Sequence, residues 1–199
     1  YAQLDPVSQL VMGLIGGRTR GEVSLSAYRV LSSRFGSWEA VRDASPANIQ
    51  KAISQVTFAE VKAHRLRAAL SMVTRLNGKL TLENLKPMSV IDALLWLERL
   101  PGVGRKTSAA TVNFSTLRKP ALVIDTHHLR VMRRFGLVGA RTDFRQAYDR
   151  IMPALPASWD AAEMDLHHQL MKLLGQSICR HQTPTCNCCP VSDLCASAI

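Results

Sequence analysis

The sequence predicts an all-α protein. Two observations carry this. Apolar residues recur at helical spacing through nearly every segment, and capping residues with Gly or Pro stops separate those segments. A third is an absence: no stretch reads convincingly as a strand, and there is no internal repeat. The chain has 199 residues, 47% of them hydrophobic and 20% charged. That suits one large domain or two small ones sharing a core.

The elements follow in order. Asp5-Pro6 starts a helix whose apolar stretch runs from Val7 to Ile15, and residues 16–21 (Gly-Gly-Arg-Thr-Arg-Gly) break it. Leu25, Tyr28, Leu31 and Phe35 share the face of a second helix, which Gly36 closes. Trp38 to Arg42 reads as a short turn. Ser45-Pro46 caps a helix carrying Ile49 and Ile53. Leu66, Ala69, Leu70, Val73 and Leu76 mark a longer helix ended by Asn77-Gly78. Ser89 caps another, with Val90, Ile91, Leu94, Leu95 and Leu97 at helical spacing. After Pro101, Gly102 and Gly104 the chain re-enters helix through Thr107 to Val112. Lys119-Pro120 interrupts it, and Ala121 to Ile124 is a short apolar run, expected to be extended. Asp125-Thr126 opens a helix to Phe135, stopped by Gly136. Phe144, Ala147, Tyr148 and Ile151 mark the next, stopped by Pro153. Ser158 is expected to cap the last, through Leu166, Leu170, Leu173 and Leu174. The break near Leu117 to Pro120 divides the chain into expected domains at 5–118 and 119–199.

The net charge of +10 points to a polyanionic partner. No apolar run reaches the roughly 18–20 residues of a membrane helix, and no signal peptide is seen in the residues given. No membrane partner is expected, and the expected location is cytoplasmic. All five cysteines lie from Cys179 onward. Such crowding suggests a metal site rather than a disulfide scaffold.

The string Leu100-Pro101-Gly102-Val103-Gly104-Arg105-Lys106-Thr107 lies between two predicted helices. A turn of this kind presents backbone N–H groups at a helix start, where partial positive charge attracts phosphate. Taken alone, G-x-G reads as an ordinary helix connection. The full string resembles the helix-hairpin-helix of the endonuclease III family of DNA repair glycosylases. The resemblance implies a six-helix barrel domain with its hairpin at 100–106, beside a helical domain carrying an iron–sulfur loop at 179–195. It implies that Leu100, Gly102, Val103, Gly104, Arg105 and Thr107 meet DNA and that Lys106 is the nucleophile. The positive helix end and Arg105 are expected to disfavour an extra proton on that amine, leaving it able to form a Schiff base with a sugar C1′. In that family a further helix usually precedes the equivalent of Asp5-Pro6; the sequence given starts just before that point.

Two more motifs extend the resemblance. Asp125 heads Asp-Thr-His-His-Leu-Arg-Val, 19 residues after Lys106. By itself it reads as a helix N-cap. The family motif V-D-T-H-x-x-R-V matches it at Asp125, Thr126, His127, Arg130 and Val131, with Ile124 in place of the leading valine. The match implies that Asp125 is the catalytic aspartate and that His127 meets DNA. Cys179, Cys186, Cys189 and Cys195 have the spacing C-x6-C-x2-C-x5-C. Chemistry alone allows a four-thiolate zinc site or a [4Fe–4S] cluster about equally. The spacing equals that of the family's iron–sulfur loop, which implies the cluster. Cys188 fits no ligand position.

The sequence departs from the family where lesions are read. A motif resembling S-Q-T-x-D is usual after the first helix, and its glutamine fills the hole left by the extruded base. Here Arg18 stands in the glutamine's place and Gly21 in the acid's. Arg18 either plugs the hole or only touches phosphate. Phe58 stands where the family inserts a wedge between bases; a buried core phenylalanine is the alternative. Lys62, His64, Arg65 and Arg67 form a basic stretch that a solvated helix face explains nearly as well.

The resemblance implies a nucleoid-associated bacterial monomer acting on double-stranded DNA with damaged bases or abasic sites. It would remove a base, in the family's usual range an oxidised pyrimidine, and cut the abasic site by β-elimination. Removal of uracil or thymine from mismatches, or altered specificity in a paralogue, are the alternatives within the family. A non-catalytic DNA-binding module explains the charge and hairpin but not Lys106 together with Asp125. A redox sensor explains the cysteines only.

Overall fold

The computed structural model describes residues 3–198. They fold into ten α-helices and short 3-10 turns, and the extended run 121–124 pairs with no strand. The chain separates into two compact units, one ending at Arg118 and one beginning at Lys119.

The first unit holds α1 (Pro6–Gly16), α2 (Gly21–Phe35), α3 (Trp38–Asp43), α4 (Pro46–Ala52), α5 (Ala59–Asn77), α6 (Val90–Glu98) and α7 (Arg105–Phe114). Asp5 caps α1 by accepting from the N–H groups of Val7 and Ser8. Its other carboxylate oxygen accepts from Ser8 Oγ, which in turn accepts from Trp38 Nε1 at 2.8 Å. One cap thereby also fastens α3. Leu10, Ile15, Leu31, Ile49, Leu66, Leu70, Leu94 and Leu97 are among the fully buried side chains. Each such side chain contributes about 1.5–3 kcal/mol by leaving water. Gly13 lets α1 approach α7 closely: a Cβ there would lie 2.9 Å from Thr107 Cγ2.

Two expectations for this unit are corrected. Residues 38–43 are a helix, not a turn, because Ser37 caps them through the N–H of Ala40. The buried face of α2 is Ser24, Ala27 and Leu31, while Leu25 is exposed. Small residues at 24 and 27 let the neighbouring helices come close, which turns the larger Leu25 outward.

The second unit holds α8 (Thr126–Arg134), α9 (Phe144–Ile151) and α10 (Ala161–Ser177), followed by the cysteine loop. Gly136, at φ +76, ends α8, and Asp143 with Gln146 forms a capping box at α9. The cap of α10 is Asp160 rather than Ser158. It accepts from the N–H groups of Ala162 and Glu163, and Glu163 accepts in return from the N–H of Asp160. The buried face of α10 is also not the leucine face: Ala161, Met164, His168 and Gly175 are inside, whereas Leu166, Leu170 and Leu173 are exposed. The reason is Gly175. A Cβ there would fall 2.8 Å from His127 Cβ, so α10 turns its glycine toward α8.

Candidate functional site

The hairpin is built on its own main chain. Leu100 N–H donates to Leu97 O at 2.9 Å and Val103 N–H to Leu100 O at 3.1 Å. Gly102 takes φ +82, in the left-handed region, and the aliphatic stem of Arg65 packs against its Cα side. Gly104 is the N-cap of α7 and brings no side chain to that helix start. Leu100 and Val103 are buried, 2% and 7% exposed, so the exposed positions of the turn are Gly102 and Gly104. Lys106 is the second residue of α7 and half-buried; Thr107 is half-buried beside it.

Arg105 departs from expectation. Its side chain is buried, and Nε donates to Glu98 Oε1 at 2.5 Å; Ser108 Oγ donates to the same oxygen at 3.1 Å. The guanidinium expected to add charge for DNA instead locks α6 to α7. What Arg105 presents at the helix start is its main chain.

Lys62, the first residue of the basic stretch 62–67, does not lie on a solvated helix face. It is buried, and its Nζ donates to Ile15 O at 2.7 Å, Gly17 O at 2.7 Å and Thr19 Oγ1 at 2.9 Å. Burial, and then the charge of Lys106, push its pKa down to about 8. A signal was there to be read: Lys62 continues the inward row of Leu66, Ala69, Leu70 and Val73 on α5. Arg18 and Phe58 are exposed, and both have left-handed backbones, at φ 54 and 59. Phe58 is 59% exposed and not a core residue.

In the second unit Asp125 is 7% exposed and caps α8, accepting from the N–H of His128 at 2.9 Å. The run leading to it is held from two sides. His128 Nδ1 and His168 Nδ1 lie 3.2 and 2.7 Å from the same oxygen, the carbonyl of Val123. Burial, with His167 and His168 alongside, pushes the His128 pKa down to about 3, so its ring is neutral at pH 7. Sequence reading missed this histidine pair. His127 is half-buried, its Nδ1 3.2 Å from Arg130 Nη2, and Arg130 also donates to the carbonyls of Gly175 and Cys179.

Cys179, Cys186, Cys189 and Cys195 line one cavity of about 250 Å3, with Arg134, Leu174 and Ile178 among the other walls. Arg134 Nη1 donates to Cys179 Sγ at 3.2 Å and to Arg180 O at 2.6 Å, and Nη2 donates to His181 O. This guanidinium braces the loop and was not singled out from sequence. Cys188 is exposed and lies outside the lining. Among the described residues, no three His, Cys, Asp or Glu side chains converge as for a single ion.

Fold and hairpin together define a class: an all-helical protein with a glycine turn between two helices and a lysine in the first turn of the second. The comparisons agree. The family model for "HhH-GPD superfamily base excision DNA repair protein" matches residues 11–157. Endonuclease III of Thermotoga maritima is 28% identical over 98% of this chain and 84% of its own length. That of Escherichia coli K12 is 34% identical over a stretch covering 50% of this chain and 44% of its own. Among solved structures, a trapped endonuclease III–DNA covalent intermediate superposes with a TM-score of 0.81 at 21% identity, covering 100% of this chain and 88% of that one. A thermostable thymine-DNA glycosylase superposes at 0.76 with 19% identity, over 98% and 84%. The chain belongs to the HhH-GPD superfamily of base excision DNA repair proteins, within the endonuclease III family. Its enzyme class is that of the endonuclease III-like DNA glycosylase/AP lyases.

Proposed function

We propose that this chain binds damaged double-stranded DNA as a monomer at the bacterial nucleoid, removes an oxidised pyrimidine, and cuts the abasic site through Lys106. The observation that carries the reading is the placement of Lys106. It is a half-buried amine in the first turn of a helix with no side-chain cap, where the positive helix end favours a neutral, nucleophilic amine.

The neutral Nζ attacks C1′ of an extruded nucleotide. The C1′–N bond breaks, and the base leaves with the electron pair and takes up a proton. The attached amine loses one proton, the C1′–O4′ bond breaks and O4′ takes up a proton, leaving a protonated imine. C2′ then gives up a proton, and its electrons expel the 3′ phosphate. Water hydrolyses the imine and returns Lys106. Asp125 is the carboxylate that stabilises positive charge at the sugar or receives the amine's proton. The main chain from Gly102 to Thr107 takes a phosphate, and His127 adds a contact to DNA. Arg18 enters the space left by the base, where a guanidinium stacks and donates hydrogen bonds, and Phe58 wedges between neighbouring bases.

The four cysteines fit a [4Fe–4S] cluster. Their thiols line one cavity of about 250 Å3, which has room for a group larger than a single zinc ion. Cys179, Cys186, Cys189 and Cys195 would hold it, and it would pin residues 179–195 in place. Purified protein is expected to be brown, absorbing near roughly 400 nm; stoichiometric zinc without iron or sulfide would overturn this.

Borohydride trapping tests the main reading. Wild type should give a covalent adduct with lesion-bearing duplex, and Lys106→Ala none; an undiminished adduct in the variant would reject it. Asp125→Asn should lose about a hundredfold or more in turnover while keeping DNA affinity. A panel of lesions then decides the substrate. Preference for mismatched uracil or thymine would fit the presence of Arg18 where the family carries glutamine.

A further inference from the structure

Lys62 places a buried cation where nothing in the reaction above requires one to be buried. It is 8% exposed, and its three ammonium protons have three oxygen acceptors: Ile15 O, Gly17 O and Thr19 Oγ1. Two of these belong to the turn that carries Arg18. Lys62 itself lies in the first turn of α5, which Phe58 N-caps; its N–H donates to Phe58 O at 3.0 Å, the main-chain bond of that helix start. Thr19 Oγ1 closes the knot by accepting also from the N–H of Thr57, at 3.2 Å.

Among the described residues, three non-glycine positions have left-handed backbones, and Arg18 and Phe58 are two of them. Such a backbone costs an L-residue roughly 1–2 kcal/mol and persists where surrounding contacts over-determine it. Here the Lys62 ammonium holds the Arg18 turn against α5, and Thr19 Oγ1 joins that turn to Thr57 beside Phe58. Both strained residues expose their side chains to solvent.

We propose that Lys62 is a positioning residue for lesion recognition, tying the Arg18 turn to the Phe58 turn so that both exposed side chains meet DNA as one preset unit. This rests on the reading of Arg18 and Phe58 as DNA contacts. The physical reason is preorganisation: ordering two exposed turns during binding would subtract from affinity, and a tie already made removes that loss. Methionine would fill the same volume but supplies no donor to the three oxygens.

Two measurements on the free and DNA-bound protein test it, using Lys62→Met, Lys62→Arg and Thr19→Val with Arg18→Ala and Phe58→Ala as references. The first is the rate of tryptic nicking after Arg18 and Arg20. The second is the ratio of affinities for a duplex holding a tetrahydrofuran abasic analogue and for undamaged duplex. Lys62→Met should speed nicking and lower the ratio, each about tenfold, the size of one lost charge-assisted hydrogen bond. Thr19→Val should move both measures partway, and Lys62→Arg, which keeps a cation, should restore part of both. Wild-type nicking in Lys62→Met would show that there is no tie. Faster nicking with an unchanged ratio would show a tie that positions nothing for DNA. If Arg18→Ala and Phe58→Ala keep the wild-type ratio, the reading of those side chains has failed, while nicking still reports on the tie. Should Lys62→Met not fold, Thr19→Val carries both measurements.

Discussion

The hairpin at 100–106 and the two turns around Arg18 and Phe58 present themselves in opposite ways. In the hairpin the side chains of Leu100, Val103 and Arg105 are buried, and two glycines leave the main chain outermost. In the turns the side chains of Arg18 and Phe58 stand outward, and the main chain is tied down by Lys62 and Thr19. A main chain recognises phosphate, which is the same at every nucleotide. Side chains can fill a gap or part a base stack, which depends on the lesion. In the proposed function the first arrangement would serve general grip and the second discrimination.

The largest effect expected from a substitution in the hairpin is on stability. Arg105→Ala leaves Glu98, only 10% exposed at its side chain, without that guanidinium. Loss of one partner from a buried pair costs about 3–5 kcal/mol, to be read by denaturant unfolding. Arg18→Ala, its counterpart in the turns, should leave unfolding nearly unchanged and alter opposite-base preference. Gly102→Ala comes next. It would force a Cβ to 2.9 Å from Arg65 Cδ at φ +82, costing about 1–3 kcal/mol. Gly104→Ala meets no atom within 4 Å, so it should fold normally and lose affinity for all duplexes alike. Equal destabilisation by the two alanines would break the comparison. Phe58→Gly is a smaller change of opposite sign. Relief of the left-handed backbone should raise stability by about 1 kcal/mol while discrimination of abasic from intact DNA falls.

A pH dependence supplies a further test. The folded pKa of Lys62, about 8, lies below its ordinary 10.5 because of burial and the charge of Lys106. The unfolded chain therefore binds more protons between those values. The penalty is fully present below pH 8 and disappears as pH rises toward 10.5, so stability should increase across that window. Denaturant midpoints at pH 7.5 and pH 10 should show the rise in wild type and a smaller one in Lys62→Met.

Much of the fold was legible in order along the chain. Asp5, Ser45, Ser89 and Asp125 cap the helices expected of them, because a short oxygen-bearing side chain at a helix start acts locally. Faces were harder. Leu166, Leu170 and Leu173 have helical spacing, yet α10 buries the row containing His168 and Gly175. Periodicity says that a face exists, not which neighbour will cover it. The inward turn of Arg105 was hidden for a similar reason. Its partner Glu98 stands seven residues away across the hairpin, and only the fold brings them together.

Local chemistry thus wrote the caps, the stops, the glycine turn and the crowding of thiols, since each depends on residues within a few positions of one another. Tertiary structure alone decided that one arginine would serve as a strut, that a lysine would be sealed among three oxygens, and that a phenylalanine would be left in water. Burial is a property of what lies across the core, and the free energy of a charge or a ring changes sign with it.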